Sequence, residues 1–323
     1  MRIWNFDAPV GQLGLDDDLC VRSDSGEVLC CMALVVTLFI REGDRPEVRE
    51  GMIRALGRLS EISGAALTWG MHPESELPEP VSAQGALADV RRWPAAVFER
   101  FDFQMIFTAG KSAADASPLR FMAVSREREE GQLSFISLSL PVRWALKNSP
   151  EAFTAFVLEL CNWLGPTHGY AGLGVVPHVL GFDDESQGPL FALARRFPGL
   201  DLDLPAMHEP FLSSRRGIKG VNWLTVLGDE WIAELGGGAA IQPKLDSQIG
   251  VFPYRGGVVL QAGASPTLDD RNPSASLAPY RRVGAALAPV RIKGGMMMRV
   301  DSGSPGFDLE EAERWLSRFE GRD

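Results

Sequence analysis

The stretch Leu133–Leu140, LSFISLSL, decides the class of fold, because Ile136, Leu138 and Leu140 alternate with Ser137 and Ser139. Successive strand side chains point to opposite faces. A period of two therefore predicts a strand with one apolar and one wet face, as an antiparallel sheet allows. Just upstream, SREREEGQ (residues 125–132) carries charge and a glycine and reads as a hairpin turn. It leads back to strands at Leu119–Val124 and Phe101–Thr108. Strands that come in runs with hairpin-length links, rather than in strict alternation with helices, predict an α+β fold: a mixed, largely antiparallel sheet with flanking helices.

Working outward, LCCMALVVTLFI (Leu29–Ile40) is apolar throughout and predicts a buried strand. Asp44 is the expected N-cap of the next helix, with Pro46 in its first turn and Val48, Met52, Leu56 and Leu59 at helical spacing until Gly64. A short strand is expected at Ala66–Trp69. HPESELPEP (residues 72–80) then reads as a loop that three prolines keep out of regular structure. Ser149 and Pro150 cap and open a helix that Gly165 and Pro166 stop. Further on, a helix is predicted around 188–196, paired strands at 248–253 and 257–262, and a helix through Leu277, Tyr280, Val283 and Leu287. The last helix has a capping box, Asp308 with Glu311, and an apolar stripe of Leu309, Ala312, Leu316 and Phe319. A soft boundary near 180 divides the chain into similar halves, 1–180 and 181–323; one continuous sheet through both is the other reading.

With 323 residues, 45% of them hydrophobic, the chain can bury a large core. Cys20, Cys30, Cys31 and Cys161 form no CxxC pair and read as free thiols in a reducing compartment. The twelve-residue apolar run falls short of the roughly 18 residues of a membrane span. It follows Asp16, Asp17 and Asp18 rather than a basic segment, so no signal peptide and a cytoplasmic location are expected. A net charge of −10 disfavours binding to a phosphate backbone and suits a basic protein partner.

Chemical motifs are sparse. His72, His168, His178 and His208 form no HxxxH or HxH pair, and neither a GxSxG elbow nor a GxxxxGK[ST] loop occurs. No cofactor or metal is expected. Asp229 and Glu230 are adjacent, so on a helix they point about 100° apart, and they suit a helix first turn better than a catalytic pair. The competing readings are an enzyme with an uncommon carboxylate site, which requires Asp229, Asp269 and Asp270 to converge in one cleft, and a structural subunit of a larger assembly. Trp163, Trp223 and Trp231 read as core. Trp93 and Trp144, each beside arginine, read as exposed interface anchors.

Three stretches taken together, GIKGVNWLTVLGDEW (217–231), GVVLQAGASPTLDDRNPSASLAPYRRVGAALAPVR (257–291) and WLSRF (315–319), resemble the type VI immunity family. The similarity runs over roughly 20–320 and is strongest over 217–291. It carries Gly217, Asn222, Trp223, Leu224, Gly228, Gln261, Gly263, Asp269 and Asn272 as motif positions. The resemblance implies tight inhibitory binding of a cognate toxin delivered by type VI secretion, sometimes a nuclease, without catalysis. Such surfaces must discriminate among related toxins and are expected in variable loops, which leaves the shared motif as scaffold. In that reading Gly217 and Gly220 bracket a turn, Val221, Trp223 and Leu224 enter the core, and Gly228 opens a helix over Trp231. If the toxin presents a basic cleft, the acidic loops Asp16–Asp18, Glu74, Glu76 and Glu79, and Asp183, Asp184 and Glu185 are the expected partner-facing residues.

Overall fold

The computed structural model describes residues 19–100, 102–126, 131–145, 147–178, 184–214, 216–269, 277–294 and 306–321. Its strands are β1 (Cys20–Arg22), β2 (Val28–Ile40), β3 (Trp69–Met71), β4 (Pro78–Pro80), β5 (Phe103–Thr108), β6 (Arg120–Ser125), β7 (Ser134–Pro141), β8 (His168–Pro177), β9 (Asp201–Leu202), β10 (Leu224–Gly228), β11 (Ile249–Tyr254) and β12 (Gly257–Ala262). The helices are α1 (Pro46–Ser63), α2 (Ala86–Val90), α3 (Ala95–Phe98), α4 (Val142–Ala145), α5 (Pro150–Leu164), α6 (Asp184–Arg196), α7 (Pro205–Ser214), α8 (Asp229–Glu234), α9 (Gly238–Ile241), α10 (Ala278–Leu287) and α11 (Leu309–Leu316). The fold is α+β. One sheet runs in the order β11-β12-β10-β8-β2-β7-β6-β5-β3-β4, with β1 added to β2 and β9 to β8. Every neighbouring pair is antiparallel except β8 with β9.

Local signals set the helix boundaries. The Ser149 side chain accepts from the Ala152 amide at the start of α5, and Gly165 ends that helix in the left-handed conformation. The Asp308–Glu311 capping box opens α11. Its stripe is shifted, however: Leu309 is exposed and Trp315 is buried in its place. At α1 the cap position falls on Arg45 rather than Asp44, and Pro46 takes the first helical position.

The central strand β7 departs from the expected wet face: all eight residues are buried, the serines included. The register explains where its two faces go. Ser137 lies opposite Thr37 of β2, Thr37 opposite Tyr170 of β8, and Tyr170 opposite Thr225 of β10. A polar row thus crosses four strands on one face, and α6 and α7 pack on that side against β2, β8 and β7. On the other face α1 and α5 meet the apolar residues of β2, β6 and β7.

HPESELPEP is a hairpin, with β4 pairing β3 at the end of the sheet. Leu77 and Val81 exchange bonds inward (His72 amide to Leu77 carbonyl, 3.0 Å; Val81 amide to Thr68 carbonyl, 2.9 Å). The intervening Pro78 and Pro80 nitrogens therefore face the free edge, where a missing N–H costs no ladder bond. Cys20 and Cys31 lie opposite each other in the β1–β2 pair and form a disulfide, while Cys30 and Cys161 stay free and buried. The thiols therefore carry no argument for a reducing compartment. No helix among the described residues is long and apolar enough to cross a membrane.

Candidate functional site

The centre of the molecule holds paired charge, with one buried donor, Arg120 Nε, left without a hydrogen-bond partner. Asp203, 0% exposed, accepts from Thr37 Oγ1 (2.6 Å) and Tyr170 OH (3.0 Å) on one oxygen. Its other oxygen accepts from Ser137 Oγ (2.7 Å) and from the Arg120 guanidinium. Beside it the Lys219 ammonium donates to Asp201 Oδ1 (2.6 Å) and the Leu202 carbonyl (2.7 Å) and sits 4.0 Å from the centre of the Tyr170 ring. Burial lowers the Lys219 pKa, against the opposing pull of Asp201, and burial together with Asp203 raises that of Tyr170. Every one of these charges answers another inside the fold. Sequence reading did not single out this cluster; its one local signal was polar residues on a strand that proved to be central.

The motif residues are equally inward. Asn222 accepts from the Trp223 amide (2.6 Å) and donates to the Leu173 carbonyl (3.3 Å). Trp223 is buried, stacked on Phe153 of α5, with its indole N–H on the Gly263 carbonyl (3.1 Å). Gln261 donates to the same carbonyl (2.9 Å) and accepts from Thr154 (3.0 Å). Leu224 opens β10 opposite Gln261. Gly217 and Gly228 are required by close approach: a Cβ would stand 2.6 Å from the Ile292 backbone at the first and 2.8 Å from the Thr167 carbonyl oxygen at the second.

Of the carboxylates of the enzyme alternative, Asp229 and Asp269 are reached from opposite ends of the β10–β12 pair. Asp229 follows Gly228, which pairs with Gly257, whereas the path to Asp269 leaves the opposite end of β12 after Ala262. Five ladder residues separate these two exits, about 17 Å of strand. Asp270, like the motif residue Asn272, lies outside the described residues. Among those described, no group of three His, Cys, Asp or Glu side chains is placed to hold a metal.

Of the partner-facing candidates, Asp16, Asp17, Asp18 and Asp183 lie outside the described residues, and Asp184 and Glu185 begin α6. Glu74, Glu76 and Glu79 stand on the β3–β4 hairpin at the extreme end of the sheet, all exposed, with Leu77 62% exposed among them. None of the three forms an ion pair with a described residue. Because the outward edge of β4 is proline at alternate positions, a partner engaging this end meets side chains rather than strand hydrogen-bond donors. The expected aromatic anchors are not free: Trp144 is buried with its indole N–H on the Ile62 carbonyl (2.9 Å), and Trp93 packs among Phe98, Phe103 and Phe107.

Charge inside the fold is paired, three exposed carboxylates at one rim form no ion pair with a described residue, and comparison places the chain among type VI immunity proteins. Residues 51–319 match the TsiV model, described as type VI immunity for VRR-NUC, and the chain belongs to that family. Among solved structures it is similar to one described as the Pseudomonas aeruginosa T6SS protein PA0821. The identity is 25%, the TM-score 0.81, and the match covers 94% of this chain and 88% of the other. No curated protein matches the chain.

Proposed function

We propose that the chain inhibits a type VI secretion toxin of the VRR-NUC kind by one-to-one binding, with no catalysis of its own. The observation that carries this reading is the family match over most of the chain. A nuclease must hold a polyanion and so presents a basic cleft. The exposed Glu74, Glu76 and Glu79 on their hairpin suit that cleft as a phosphate mimic, and the acidic residues 16–18 and 183–185 extend the same character. The inward-turned motif around Asn222, Trp223, Gln261 and Gly263 acts as scaffold. Inhibition takes place in the cytoplasm, where a nuclease finds its substrate.

The test is co-expression with the toxin encoded beside the chain. Growth rescue together with recovery of a stable one-to-one complex is expected. Loss of both overturns the reading.

A further inference from the structure

At one end of the three central strands a cavity of about 130 Å³ opens between Arg41, Thr167, His168, Ser213, Arg216 and Trp231. Arg41 directly follows β2, His168 begins β8, and Ile40 pairs with Ser134, so the strand register itself gathers these positions. His168 is 2% exposed, stacked on Phe39 (4.8 Å between ring centres) and edge-on to Trp231 (6.3 Å). Neither of its ring nitrogens has a hydrogen-bond partner. A buried imidazole in that state is costly unless something else satisfies it.

The remaining bonding capacity around the cavity is mostly that of donors. Arg41 uses only Nε, on Glu230 (3.1 Å), which leaves both terminal nitrogens without a described partner. Arg216 places Nε and one terminal nitrogen on Glu234 (2.9 and 2.6 Å) and lies over Trp231, which leaves its other terminal nitrogen free. The hydroxyls are committed: Thr167 donates to Glu230 and accepts from the Trp231 indole (3.2 Å), and Ser213 donates to Glu209 and accepts from the Leu133 amide (2.7 Å). Burial, followed by the Arg41 charge, depresses the His168 pKa to about 3, so the ring stays neutral and offers one N–H and one lone pair.

We propose that this cavity binds a carboxylate, held by the unused guanidinium nitrogens of Arg41 and Arg216 and by His168 at its floor. A planar carboxylate matches a guanidinium fork. Glu230, Glu234 and the buried Glu209 outnumber the two guanidinium charges, so attraction rests on the unused N–H donors rather than on net charge, and a phosphate dianion is disfavoured more than a singly charged group. The volume admits a carboxyl with a short stem and excludes a nucleotide. The carboxylate comes either from a free small acid or from an acidic side chain of a bound protein.

The experiment titrates the whole chain at constant ionic strength with acetate, with succinate and, as comparator, with inorganic phosphate, following the Trp231 indole resonance by NMR. A saturable shift with a carboxylate, weakened at least tenfold in Arg41→Gln/Arg216→Gln and in His168→Phe, supports the site and a free ligand. If acetate and succinate give no shift but the same double variant binds the toxin at least tenfold more weakly at an unchanged unfolding midpoint, the carboxylate is the partner's. Phosphate binding as tightly as acetate overturns the assignment. So does the absence of any shift together with unchanged toxin affinity in both variants. The free-acid arm stands apart from the immunity reading, and an inert cavity in a chain that still inhibits its toxin defeats this proposal alone.

Discussion

Asp203 and Glu76 are both carboxylates in connections between strands of one sheet, and they have opposite fates. Asp203 lies over the polar row of the central strands and accepts four side-chain hydrogen bonds, one of them from a buried arginine. Glu76 stands on the terminal hairpin beside an exposed leucine, with no ion pair to any described residue. Charge in the middle is spent on holding the strands to their roof of helices. Charge at the rim forms no ion pair with any described residue. Acidity as a bulk property therefore says little about binding until each carboxylate is assigned to one or other class.

The contrast breaks most readily at its buried end. Replacing Asp203→Ala leaves the Arg120 charge in the core without its partner, and breaking such a pair costs roughly 3–5 kcal/mol. Urea unfolding should show that loss. A variant as stable as the parent would mean the hub is not structural. Exchanging both partners for apolar residues, Asp203→Leu with Arg120→Met, should recover part of the loss, because no uncompensated charge remains.

The disulfide supplies the next largest effect. It closes a loop of sequence separation 11 between β1 and β2, and by chain entropy a loop of this length stabilises the fold by roughly 2–3 kcal/mol. Cys20→Ser should lose about that amount in urea. Dithiothreitol should lower the parent by a similar amount while leaving the variant unchanged.

At the rim the expectation is reversed. Converting Glu74, Glu76 and Glu79 together to lysine should move stability by no more than about 0.5 kcal/mol, since exposed positions without partners contribute little to folding. Toxin affinity should fall by roughly 2 kcal/mol, about thirtyfold, with weaker salt dependence. Isothermal titration at two ionic strengths reads both quantities. Unchanged affinity would remove the hairpin from the interface.

How much of this was legible follows the same division between local and distant causes. The Ser149 cap, the Asp308 capping box and the strand-to-helix joint at Gly228 depend on residues within a few positions of one another, and the sequence shows them directly. The alternation of β7 correctly sorted its residues by face. It did not reveal that Asp203, 66 residues beyond Ser137, covers the polar face, because a period of two says which side chains share a face and nothing about what lies above it. Proline content alone makes HPESELPEP look like a loop, and only the pairing with β3 shows that those prolines sit where no donor is needed. Cys20 and Cys31 match no spacing motif; a strand register makes them neighbours. The cavity at His168 was equally hidden, since Arg41 and Arg216 reach it from distant parts of the chain.

His168 also gives the comparison its finest test, because it is a buried titratable group with no protein partner, unlike Asp203 with four. Its folded-state pKa of about 3 lies below the ordinary histidine value near 6.5. Between those two values the unfolded chain binds a proton that the native state refuses, so stability is present above about pH 6.5 and is lost as pH falls through the window. The loss approaches about 1.4 kcal/mol per pH unit from this residue. His208, also buried and with its pKa lowered, first by burial and then by Lys219, adds a loss of the same sign. The parent curve alone therefore does not isolate His168. His168→Phe keeps a ring against Phe39 and Trp231 and removes the proton site. Urea unfolding of parent and variant at pH 6.5, 5.5 and 4.5 should show the variant falling less steeply by about that increment. Parallel curves would mean that His168 is protonated in the native state, as it would be if an anion in the cavity stabilised its charged form.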